Sequence, residues 1–86
     1  MKMFCYSEIE NAIENSQKYD LTTLLAMRAQ MLRHENYLKK EYQFFAEELT
    51  GVAHASMKAE MLSDQLREHE KNMRKMDAHI ARLEAQ

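Results

Sequence analysis

The sequence predicts an all-α fold, with one short helix followed by an antiparallel two-helix hairpin that turns near Gly51. Three observations carry this expectation. Proline is absent from the 86 residues and glycine occurs once, so almost nothing interrupts a helix. Strong helix formers (Ala, Leu, Met, Glu, Lys, Gln, Arg) dominate, while Val52 is the sole valine and no β-branched run offers a strand. Apolar residues then recur at heptad spacing from Leu21 to Leu83, in two series of different register.

The first element is the stretch YSEIENAIENSQ. Ser7 followed by Glu10 has the form of a capping box, and Ile9, Ala12 and Ile13 supply one apolar edge. A helix this short is not stable alone, so it must pack on the rest of the chain. In KYDLTT, Asp20 or Thr22 is placed to cap the second helix. The expected spans are about 7–18, 20–50 and 54–84, in one domain covering 1–86.

In the second helix Leu21, Arg28, Glu35, Tyr42 and Leu49 fall at heptad a, and Leu24, Met31, Leu38 and Phe45 at d. In the third, Val52, Ala59, Leu66, Met73 and Ile80 are a, while Ala55, Leu62, His69, Met76 and Leu83 are d. The registers break at Thr50-Gly51. Glycine inside a helix costs about 1 kcal/mol relative to alanine but ends helices readily at C′. A reversal there, with Ser56 capping the next helix, is favoured over a stammer in one continuous coil. Folding back pairs Leu38 with Leu62, Met31 with His69, Arg28 with Met73, Leu24 with Met76 and Leu21 with Ile80. It also sets the bulky Tyr42 and Phe45 opposite Ala55 and Ala59, large against small.

Composition narrows the function. Hydrophobic residues make up 45% and charged residues 30%, a balance that suits a soluble folded chain and argues against disorder. A net charge of −2, with both signs interleaved, leaves no basic footprint for nucleic acid. No apolar run is long enough to span a bilayer, so membrane insertion is not expected. The opening MKMFCYSEIE is too short in its apolar part for a signal peptide. Cys5, the one cysteine, excludes an internal disulfide and fits a reducing, cytoplasmic setting.

Few residues point to chemistry. His34, His54, His69 and His79 never pair at i, i+3 or i, i+4, and no cysteine cluster joins them, so no metal site is expected. His69 reads as a seam residue. Cys5 lacks the basic neighbour a catalytic thiolate needs, in an N-terminal segment expected to be mobile. One glycine forbids phosphate-cradling and dinucleotide loops. No catalytic residue and no cofactor are expected, and the chain is not read as an enzyme. Arg28 and Glu35 interrupt the first seam, either snorkelling at an open edge or fixing the register of pairing.

Apolar surface remains after the hairpin forms. Leu25 and Leu32 lie at e, where the first helix is expected to cover them with Ile9 and Ile13. Tyr37 and Phe44, at c, and Met57 and Met61 near the reversal fall outside the seam. These six residues are the candidate partner-binding set, because aromatic and methionine side chains bury much area or adapt in shape. Self-association into a four-helix bundle is the other way to cover them.

From Tyr6 to Leu83 the plan of one short helix and a hairpin resembles the small export chaperones of bacterial type III secretion. That resemblance implies a cytoplasmic hairpin that holds a needle or translocon subunit, often with a co-chaperone, and prevents premature polymerisation during virulence. The chain is also similar to homodimeric helical hairpins, among them small RNA-binding regulators, although its near-neutral charge argues against RNA.

Overall fold

The computed structural model describes residues 3–49 and 51–86, and among them every regular element is helical. α1 spans Tyr6–Glu14 and is followed by a 3₁₀ turn, Ser16–Lys18. α2 spans Leu21–Gln43 and widens into a π-helical turn, Phe44–Glu48. α3 spans Ala53–Glu84 and packs along α2.

Each boundary has a local cause. The capping box sits two residues upstream of the expected one. Cys5 is the N-cap, and the Glu8 carboxylate accepts from its backbone N–H at 3.3 Å and from its thiol at 3.2 Å. Ser7 is therefore inside α1, which ends at Glu14, short of residue 18, because Asn15 leaves helical geometry. Asp20 caps α2 as expected, accepting from the Thr23 N–H at 2.8 Å. The Thr23 hydroxyl, and then that backbone bond, hold the Asp20 carboxyl below its ordinary range.

The chain reverses at Gly51. Its φ of +88° lies in the left-handed region that glycine enters freely. The expected register slip lies half outside the described residues, at Thr50. α3 begins at Ala53, close to the expected start, but Val52 is its N-cap and Ser56 lies within its first turn and does not cap it. The π turn places the Leu49 N–H 3.1 Å from the Phe44 carbonyl and sets Phe44 edge-on to Phe45. Tyr42, expected in the seam, is partly turned to solvent, while Ala59, expected opposite it, is buried. Tyr42 is 38% exposed.

The core lies at one end. Phe4, Ile9, Ala12 and Ile13 from the N-terminal segment join Leu24, Met27 and Met31 of α2 and Met73, Met76 and Ile80 of α3. Leu24, Met27 and Met76 are fully buried, each contributing about 1.5–3 kcal/mol of transfer free energy. Toward Gly51, among the described residues, only Leu38, Ala55, Ala59 and Leu62 are buried. The molecule measures 52 × 24 × 19 Å, with a radius of gyration of 15.5 Å. A compact chain of this length would have about 12 Å. A three-helix base thus carries a two-helix stalk.

Candidate interaction surface

What α1 covers decides what stays open. The Gln30 side-chain amide grips Phe4 twice, accepting from its N–H at 2.8 Å and donating to its carbonyl at 2.7 Å. At the other end of α1, His79 donates through Nε2 to the Ile13 carbonyl at 2.7 Å, while its Nδ1 accepts from Arg82. One of the orphan carbonyls of the α1 C-terminus is satisfied in this way. The N-terminal segment around Cys5 is accordingly pinned, contrary to the mobile segment expected there. Cys5 itself is in no disulfide and is exposed.

Gln30 occupies c and His79 occupies g, so α1 lies on the c/g side of the hairpin. This corrects the expectation that Ile9 and Ile13 cover Leu25 and Leu32. Those two leucines sit at e, on the opposite side, and remain exposed. The reason is chemical. The c/g side offers Met27 for burial and Gln30 and His79 for backbone pairing. The e side carries a charge pair, Arg28 Nε to Asp77 Oδ1 at 2.5 Å, whose burial would cost desolvation. Arg28 and Glu35 do not pair with each other. Arg28 reaches across to α3, which favours register setting for this residue, and Glu35 pairs locally with Lys39 at 3.0 Å.

α1 stops where the stalk begins. There His69, the one buried polar residue among those described, donates through Nε2 to the Met31 carbonyl at 2.8 Å. His34 lies edge-on to it, with ring centroids 5.4 Å apart. Burial, and then the neighbouring His69, hold the His34 imidazole below its ordinary pKa. On its other side His34 stacks with Tyr37 at 6.2 Å and 20°. The side that α1 covers at the base therefore continues, uncovered, as Tyr37, Phe44 and Met61.

The six candidate residues are all exposed, but they do not form one patch. Tyr37 (56% exposed), Phe44 and Met61 follow the c/g side beyond α1, and Met57 (71%) stands at the outer f position beside them. Leu25 and Leu32 form a separate strip on the far side of the base. Tyr42 and Val52, assigned to the seam from sequence, add to the exposed apolar surface of the stalk.

Two concavities were not anticipated. One, of about 350 Å³, opens at the junction of the three helices, with Ile9, Ile13 and Met31 on its walls and Tyr6, Arg33 and His34 at its rim. Burial, then Glu10 by charge and hydrogen bond, raise the Tyr6 phenol above its usual range. The other, of about 290 Å³, lies at the tip among Phe45, Leu49, Val52 and Ala59. Seam arithmetic treats the hairpin as two helices, so it passes over Met27 at g and the groove that a third helix creates. A methionine at g beside a d-position methionine, Met31, was the one available signal.

Among the described residues no group of three or more His, Cys, Asp or Glu side chains is arranged to hold a metal ion. No described helix is long and apolar enough to cross a membrane. The chain matches no family model, no curated protein and no solved structure.

Proposed function

We propose that this chain is a non-enzymatic protein–protein interaction module, a small cytoplasmic chaperone or adaptor that holds a helical segment of another protein. The observation that carries the reading is the half-covered hairpin face. α1 shields its base, while Tyr37, Phe44 and Met61 continue along the same side with nothing over them. α1 itself illustrates what fits, because an amphipathic helix with apolar residues at i and i+4, Ile9 and Ile13, is how this face is buried at the base. A partner helix laid beyond α1 would convert the stalk into a three-helix layer and bury its aromatic residues.

The plan resembles type III secretion export chaperones, and in that reading the held segment is a needle or translocon subunit, with or without a co-chaperone. A homodimer is the second reading, favoured by the separate Leu25–Leu32 strip, because two copies can bury both strips in a four-helix arrangement. Native mass spectrometry of the full chain, recovered under mild conditions from its own host, tests these readings. A stoichiometric heterocomplex is the expected result. A stable dimer of this chain alone would replace the first reading with the second, and a bare monomer would remove both.

A further inference from the structure

The two exposed apolar strips differ in how their charges are matched. Beside Leu25 and Leu32 the charges pair internally, Arg28 with Asp77 and Glu35 with Lys39. On the c/g side, Tyr37, Phe44 and Met61 are accompanied by carboxylates from all three helices. Glu41 stands one turn beyond Tyr37 on the same face of α2. Glu68 stands one turn before Asn72 on the same face of α3, and Asn72 lines the three-helix groove, as does Glu10 of α1. After burial, Glu10 and then Glu68 raise the Tyr6 phenol, so both carboxylates bear on the place where α1 ends and the strip begins. Among the described residues none of these three glutamates is in an ion pair.

Two cations stand against them. Arg33 is exposed at the groove rim, and Lys58 lies three residues before Met61, toward the tip. Around Tyr37 the balance is therefore acidic, Glu10, Glu41 and Glu68 against Arg33, in a chain whose net charge is only −2. Glu10 accepts from the Tyr6 hydroxyl, but a carboxylate keeps further acceptor sites. Tyr37 stacks one face on His34 and is still 56% exposed, which leaves ring surface for a guanidinium. A neutral or acidic helix laid here would leave those carboxylates desolvated or facing like charge.

We infer that this strip binds a basic amphipathic helix, with apolar side chains on Phe44 and Met61 and an arginine on Tyr37 facing the flanking carboxylates. The inference rests on the interaction-module reading above and names the chemistry of the partner.

Two capped model helices of about 18 residues serve as probes, sharing one Leu stripe and carrying either Arg or Glu beside it. Titration of the full chain, followed through the resonances of Tyr37, Phe44 and Met61, locates and ranks their binding. At low ionic strength the Arg helix is expected to bind these residues about tenfold more tightly than the Glu helix. The Glu41→Lys, Glu68→Lys variant is expected to reverse that preference. Both positions reach solvent, so the variant folds. Equal affinities, a preference unchanged in the variant, shifts at Leu25 and Leu32 instead, or no binding by either helix overturns the inference. If both helices bind the strip alike, the interaction module stands and only its basic partner falls. Recovery of a heterocomplex tests the module itself, so the two can fail separately.

Discussion

His69 Nε2 lies 2.8 Å from the carbonyl oxygen of Met31, a bond that ties α3 to α2 where the three-helix base gives way to the stalk. That carbonyl also serves the α-helical ladder of α2, so the imidazole adds a second donor and leaves no orphan when removed. Packing volume is then the larger contribution. His69→Leu is expected to change stability by no more than about 1 kcal/mol, while His69→Ala loses about 2–4 kcal/mol through the cavity it opens. Urea denaturation separates the two. Equal losses would mean that the hydrogen bond, not the packing, is what His69 contributes.

His34 makes stability depend on pH. Its imidazole is held below the ordinary value in the folded chain, mainly by burial. As pH falls below about 6.5 the unfolded chain takes up a proton first, so the unfolded state binds more protons and folding weakens. The loss ends once pH drops below the folded-state value. Melting curves between about pH 7 and pH 5 should therefore fall more steeply for the native chain than for His34→Asn. Parallel curves would contradict the assignment.

Ala59 borders the cavity at the stalk tip, with Phe45, Leu49 and Val52 around the same space. Sequence reasoning sets it against Tyr42 and makes a larger side chain an overpacking error. The open space beside it leads to the opposite expectation. Ala59→Leu should leave the melting temperature unchanged or raise stability by up to about 1 kcal/mol by filling that space. A loss of about 1–3 kcal/mol would show that the tip has no room.

Features dictated by backbone chemistry were legible in the sequence. Gly51 stood out as the reversal, and it adopts a φ of +88° that other residues avoid. Asp20 was readable as a cap, because a carboxylate three residues before an unpaired N–H has one obvious use. What escaped was tertiary. Phe4 is buried because Gln30 grips its backbone from 26 positions away, and no local pattern announces such a pairing. Met27 looked peripheral because a two-helix seam has no use for g, yet α1 turns that position into core. The π turn over Phe44–Glu48 is a backbone choice that propensities do not encode. For the candidate surface, all six residues named from sequence are exposed, but their division into two strips follows from the side α1 selects.

The proposal that the stalk strip binds a partner stands or falls with Tyr37 and Phe44. Exposed aromatics contribute little to the fold of the isolated chain but dominate interfaces, each often worth about 2 kcal/mol or more on truncation. The decisive measurement is a circular dichroism melt of the Tyr37→Gln, Phe44→Gln double variant, run beside its recovery of the heterocomplex from the native host. Stability within about 0.5 kcal/mol of the parent chain, together with loss of the partner, is the predicted result. Loss of the fold along with binding would return both aromatics to the core, and a folded variant that still holds the partner would move the interface away from the stalk.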